Sequence, residues 1–265
     1  MASIFDTHAH YLSDQFDGDR NALLDSLPGK GVSLVVNCAT DFASSNDCLA
    51  LTHRYAWIYA ALGIHPESLI DPAASTITDF GGDWRAELAA IRPLYEDAKV
   101  VAVGECGLDY YWPIPKDAQL ALFEAELRLA LELDKPIIVH DREAHADTYA
   151  LLRRYRPKGV VHCYSGSADD AKWLTAQGLY IGFGGVLTFK NARKALEAAA
   201  AVPVDRLLIE TDCPYMAPVP YRGKRCDSSM LLSVAQKLAE LRGQPLDAIL
   251  TQTEENGKSL FQLNS

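Results

Sequence analysis

Eight short runs rich in β-branched and apolar residues recur along the chain, at residues 3–6, 32–38, 57–63, 100–105, 136–140, 159–162, 179–183 and 206–211. Longer amphipathic stretches separate them, which is how a parallel sheet with helical crossovers reads. Over 265 residues the spacing is about 33 per unit, enough for a strand, a three-turn helix and two loops. Eight such units predict an α/β fold, a single closed (β/α)8 TIM barrel occupying residues 1–265 as one domain. Helices are expected at 20–27, 43–55, 116–133, 144–155, 168–177, 192–201 and 229–241, with a terminal amphipathic helix at 246–261. The interval between Gly63 and Val100 is long for one crossover and holds Pro66, Pro72, Gly81 and Gly82. A loop excursion is therefore expected before a helix at 84–97.

Composition narrows the function classes. With 25 basic and 35 acidic residues the net charge is -10, so the surface as a whole repels nucleic acid, and a phosphate-bearing substrate needs a local exception. No apolar run is long enough to span a bilayer, and the segment Met1-Ala2-Ser3-Ile4-Phe5-Asp6 lacks the charged and apolar regions of a leader. The expected location is cytoplasmic, without a membrane contact or an obligate protein partner. Six cysteines without a Cys-x-x-Cys pair fit reduced, mostly buried thiols.

The chemistry gathers where the predicted strands end. Asp6-Thr7-His8-Ala9-His10 closes the first, and residues two apart on an extended chain point the same way, so His8 and His10 converge. His65, Glu105, His140, His162 and Asp212 follow the third, fourth, fifth, sixth and eighth runs, while only His53 and His145 fall on predicted helices. That end of a barrel carries its active site. Imidazoles and carboxylates without clustered thiolates suit zinc, manganese or magnesium in a catalytic site better than a closed structural zinc site.

Six ordered motifs carry a resemblance that spans nearly the whole chain: Asp6-Thr7-His8-Ala9-His10, Gly63-Ile64-His65-Pro66, Val103-Gly104-Glu105-Cys106-Gly107-Leu108-Asp109-Tyr110-Tyr111, Val139-His140-Asp141-Arg142, His162-Cys163-Tyr164-Ser165-Gly166 and Glu210-Thr211-Asp212-Cys213-Pro214-Tyr215. The sequence resembles the TatD-type metal-dependent deoxyribonucleases, within the wider amidohydrolase-like metal hydrolases. The resemblance implies a (β/α)8 barrel with two divalent metals that hydrolyses DNA phosphodiesters from a 3′ end. It implies His8 and His10 as ligands of one metal, His140 and His162 as ligands of the other, Glu105 as the bridging carboxylate and Asp212 as the remaining ligand. Zinc is the favoured ion, with magnesium or manganese as alternatives. Such a pair can hold one water as hydroxide and grip a phosphate oxygen.

Asp212 is the expected general base, or a ligand only. His65 is expected to touch the scissile phosphate or a metal-held water, or else to pack a loop. Arg142 is expected either to pair with phosphate or to form an ion pair with Asp109 or Glu143. Asp109 and Tyr110, read as a loop after Glu105, are expected to orient a ligand or line the substrate groove, with structural packing as the alternative. Tyr111, Trp112, Tyr164 and Tyr215 are read as rim aromatics able to stack on unpaired bases, and Arg222, Lys224 and Arg225 as a basic edge or a solvated loop.

The expected partner is DNA, as single strands or 3′ ends. The alternatives are an amidohydrolase-type esterase or amidase acting on a small molecule, and a noncatalytic metal-binding protein. Cys226-Asp227-Ser228 stands where relatives carry an Asn-Glu-Pro element, so the eighth loop and the substrate preference are expected to differ. Cys106, Cys163 and Cys213 follow ligand positions and are expected to face away from them, between strands and helices.

Overall fold

The computed structural model describes residues 3–263; Met1 and Ala2 of the amino-terminal segment, and residues 264 and 265 of the expected domain, lie outside it. Eight strands form one sheet in chain order: β1 (Ile4–Ala9), β2 (Val32–Cys38), β3 (Ile58–Leu62), β4 (Val100–Asp109), β5 (Ile137–Arg142), β6 (Gly159–Val161), β7 (Tyr180–Phe183) and β8 (Leu207–Ile209). The helices are α1 (Arg20–Ser26), α2 (Phe42–Arg54), α3 (Ser75–Thr78), α4 (Trp84–Ile91), α5 (Lys116–Glu132), α6 (His145–Tyr155), α7 (Ala168–Ala176), α8 (Arg193–Ala201), α9 (Leu231–Arg242) and α10 (Leu246–Leu260). The fold is the expected parallel (β/α)8 barrel. By contacts the chain divides into two compact units, one of Met1–Asn37 with His162–Ser265 and one of Cys38–Val161.

In the first unit, the first and last strands meet. Asp212 N–H donates to His8 O and His10 N–H to Cys213 O, both at 2.9 Å, just beyond the end of β8. This junction joins the residues that follow β8 to the His-bearing end of β1. Outside it lies α10, whose Gly257 is needed because a Cβ there would come within 2.7 Å of the Phe5 ring. Asn256 ties the helix down by donating to Val204 O and Leu207 O at 2.8 Å each.

In the second unit, every residue of β4 is buried, including Glu105 and Asp109. Its pairing with β5 needs glycine at 107, where φ is +146° and a Cβ would stand 2.0 Å from His140 O. Asp41 starts α2 with a reciprocal capping box to Ser44, and Asp83 starts α4 by accepting from the amides of Arg85 and Ala86. The helix expected at 84–97 stops at Ile91 and continues as a 3-10 turn over Arg92–Glu96. Pro93 has no amide hydrogen to give an α-helix and its ring crowds the preceding turn. The predicted excursion before it contains the short α3. Strands β4 and β5 run four and two residues past the ends read from sequence, because the two strands keep pairing as far as Asp109 and Arg142.

Candidate metal centre

Each unit holds a group of metal-capable side chains of its own: His8, His10 and Asp212 in the first, and His65, Glu105 and His140 in the second. In the first, β1 presents His8 and His10 with their Nε2 atoms 3.0 Å apart. The same atoms lie 3.7 and 3.3 Å from Asp212 Oδ1. Asp212 has φ +56°, a left-handed conformation that aspartate tolerates better than most residues, and this turn aims its carboxylate back at the imidazoles. Burial alone would raise its pKa, but the hydrogen bond from His10 and the charges of His8, His10 and His162 outweigh it and hold the carboxyl below its usual range.

The His162 ring lies flat on His8, with centroids 4.0 Å apart and planes 6° from parallel. Its Nδ1 is 3.7 Å from Glu210 Oε1, which also accepts from Cys163 N–H. Glu210 packs against Gly182, where a Cβ would come within 2.2 Å of Glu210 Oε2. Burial pushes the Glu210 carboxyl up to about 7 against the opposing charge of His162. Beneath these groups Asp6 accepts four bonds, from Ser228 Oγ and Thr211 Oγ1 at 2.6 Å each, Thr211 N at 3.0 Å and His8 N at 3.3 Å. It therefore fixes the backbone of both His8 and the residue before Asp212.

In the second unit, His140 is held between two carboxylates, Nδ1 at 2.9 Å from Glu105 Oε1 and Nε2 at 3.1 Å from Asp109 Oδ2. Burial disfavours charge on the ring, yet the bonds to Asp109 and Glu105 prevail and raise its pKa to about 10. A divalent cation replaces such a proton, and a carboxylate on the far nitrogen of a ligating histidine orients the ring. His65 Nδ1 accepts from Glu67 N–H at 3.2 Å, which leaves the proton of the neutral ring on Nε2, 3.5 Å from Glu105 Oε1. His65 thus offers a donor toward the site. In both groups two imidazoles and a carboxylate converge without thiolates, a donor set that fits a divalent ion of the zinc and manganese class.

The remaining sequence-predicted residues fall as follows. Asp109 is not in a loop: it ends β4, is fully buried, and accepts from Tyr111 N at 3.0 Å. Arg142 ends β5, 3.9 Å from Asp109 Oδ2 and with its guanidinium 3.8 Å from the Tyr111 ring centre. Tyr110 donates its hydroxyl to Asp147 at 2.7 Å. Tyr111, Trp112 and Tyr215 are exposed, but Tyr164 is buried and donates to Ser167 O, so it is not a rim aromatic. The basic edge is partly committed within the fold. Arg225 makes a two-pronged pair with Asp19 at 2.7 and 2.6 Å, and Arg222 covers Phe189.

None of the six cysteines is in a disulfide; five are buried and Cys163 is half-buried, 3.9 Å from Met216 Sδ. Sequence reasoning passed over Asp6, Glu67 and Glu210. The signal for Asp6 and Glu210 was present, since each stands two residues before a singled-out side chain, in step with the strand alternation.

The family model described as "TatD related DNase" matches residues 5–262. The chain belongs to that family. It is 38% identical to a Bacillus subtilis protein named "Uncharacterized metal-dependent hydrolase YabD", covering 98% of this chain and all of that one. It is 35% identical to the Cronobacter sakazakii protein named "3'-5' ssDNA/RNA exonuclease TatD", covering 99% of each. Its fold superposes on the crystal structure of the TatD homologue YJJV from Escherichia coli with a TM-score of 0.86 at 32% identity, over 99% of both chains. This TatD-family protein is a metal-dependent hydrolase of nuclease-like kind, and both groups of metal-capable side chains lie within the residues the family model matches. Among the described residues no helix is long and apolar enough to cross a membrane.

Proposed function

We propose that this TatD-family hydrolase removes nucleotides from the 3′ end of single-stranded DNA. The observation that carries the reading is the convergence of His8 and His10 Nε2 on an Asp212 carboxylate kept ionised. In this reading His8, His10 and Asp212 would hold one metal, His140 and His162 the other, and Glu105 would be the carboxylate shared by both. Bound there, divalent ions of the zinc, manganese or magnesium class supply Lewis acidity toward a phosphate oxygen and acidify water.

The chain's own residues do the rest. Ionised Asp212 takes the proton of the attacking water at Oδ1. His65 donates from Nε2 toward a phosphate oxygen. Arg142 has 45% of its side chain exposed, so it can turn from Asp109 to meet phosphate with two N–H groups. Asp109 orients His140, and Tyr110, held by Asp147, lines the approach. The Cronobacter relative's name supports the substrate and direction. The free thiols fit a reducing compartment, and the reading places the activity in the cytoplasm.

The test is a 5′-labelled single-stranded oligonucleotide incubated with metal-stripped protein, with zinc, manganese or magnesium returned separately. Stepwise shortening from the 3′ end is expected, slowed by about 10²-fold or more in Asp212→Asn. Intact oligonucleotide in the presence of metal-loaded protein refutes the reading, and full activity in Asp212→Asn refutes the base.

A further inference from the structure

Between β4 and α5 the chain reads Tyr110-Tyr111-Trp112-Pro113-Ile114-Pro115, and the two largest rings in this segment face solvent, Tyr111 at 52% and Trp112 at 42% exposure. Their exposure is not looseness, because the segment is pinned at both ends. Ile114 is buried and its carbonyl accepts from Gln119 Nε2 at 3.2 Å. The same Gln119 side chain accepts from Asp109 N–H at 2.8 Å and donates to Asp109 O at 2.9 Å. Two prolines further restrict the backbone.

The rings are fixed as well. The Trp112 indole lies beside the half-buried Glu67 carboxylate. Tyr111 carries the Arg142 guanidinium on one face at 3.8 Å, and the two rings meet edge to face with centroids 5.0 Å apart. They are also continuous with the ligand cluster. Asp109 Oδ1 holds Tyr111 N–H while its Oδ2 holds His140, and Glu67 N–H is bonded to His65. Rigid aromatic faces beside a cationic group are what unpaired bases stack on, since every base has a π-face and the phosphate beside it needs a positive partner. Prior fixation of the rings removes much of the ordering cost of binding.

We propose that Tyr111 and Trp112 form a nucleobase-stacking platform that seats one base of the strand while Arg142 meets the neighbouring phosphate. This rests on the exonuclease reading above and adds the subsite that selects a nucleic acid over a small ester. The stack is indifferent to base identity and dependent on a base being present.

The test is a cycle between protein and substrate. Wild type, Trp112→Ala and Trp112→Phe are assayed on one labelled single strand and on a set of strands with a single abasic residue at each of the last four positions. Trp112→Ala is expected to raise KM on the intact strand about 10-fold or more, while Trp112→Phe, which keeps a ring, stays within about 3-fold of wild type. At one abasic position wild type should acquire the same KM defect, and Trp112→Ala should add nothing further. An equal Trp112→Ala penalty on every abasic strand makes the residue structural and overturns the platform while leaving the exonuclease reading intact. Failure of wild type to shorten any strand overturns both.

Discussion

The Ser228 hydroxyl is fully buried between two partners. It donates to Asp6 Oδ2 at 2.6 Å, so the Tyr11 hydroxyl, also 2.6 Å away, must donate to it; Tyr11 in turn accepts from Ser228 N–H at 2.9 Å. Ser228→Ala removes a hydrogen bond to a carboxylate, about 1.5–3 kcal/mol, and strands a buried Tyr11 O–H, about 1–3 kcal/mol. The two overlap, so a net loss of about 3 kcal/mol is expected. For a chain of this size that lowers the melting midpoint by about 6–12 °C. Thermal unfolding followed by circular dichroism at pH 8 measures it, since burial raises the Asp6 carboxyl only to about 6 and it is ionised there. Tyr11→Phe in the same background removes the stranded donor, so the double variant should lose about 1 kcal/mol less than the sum of the single losses. A Ser228→Ala midpoint within about 1 °C of wild type, or strictly additive losses, would refute the relay.

Three further outcomes are expected. Glu105→Ala should lower the metal content of exhaustively dialysed protein from two ions per chain to one, counted by atomic emission; retention of two would remove the bridging role. Burial holds the Glu126 carboxyl well above its usual range despite the bond it accepts from Ile64 N–H, so the folded protein keeps a proton that the unfolded chain gives up at ordinary carboxylate pH. The stability tied to that proton is complete below the unfolded pKa and is lost as pH rises through the folded one, so urea midpoints of wild type should fall relative to Glu126→Gln between pH 5 and 9, and parallel curves would contradict it. Gly107→Ala should cost about 3 kcal/mol or more, because its Cβ would stand 2.0 Å from His140 O at a φ of +146°; a folded variant melting within a few degrees of wild type would count against the close approach.

The barrel was legible because its signal is periodic. Apolar runs at even spacing mark strands whatever surrounds them, and His8 and His10 converge on a two-residue repeat that needs no tertiary knowledge. Strand ends were less legible where polar side chains continue the strand. Asp109 reads as a loop residue because charge signals solvent, yet it is fully buried with His140 as its partner. A sequence does not display partners that arrive from another strand. The same holds for Tyr164, whose aromatic ring looks like a rim contact and instead packs inside with its hydroxyl on Ser167 O.

The segment Cys226-Asp227-Ser228 is expected from the family resemblance to alter what the site accepts, and the fold gives it a second role. In the fold, Cys226 and Ser228 are buried, and Asp227 caps the turn that leads into α9 by accepting from Ser229 N–H. The hydroxyl of Ser228 reaches Asp6, which holds the amides of His8 and Thr211. Ser228 therefore acts on how firmly His8 and Asp212 are placed, which under the proposed reading is a matter of metal affinity and stability. Tyr111 and Trp112, by contrast, face solvent. Exchanges at Ser228 should accordingly move metal affinity and melting temperature together, whereas exchanges at Trp112 should move KM for the strand and leave metal content unchanged.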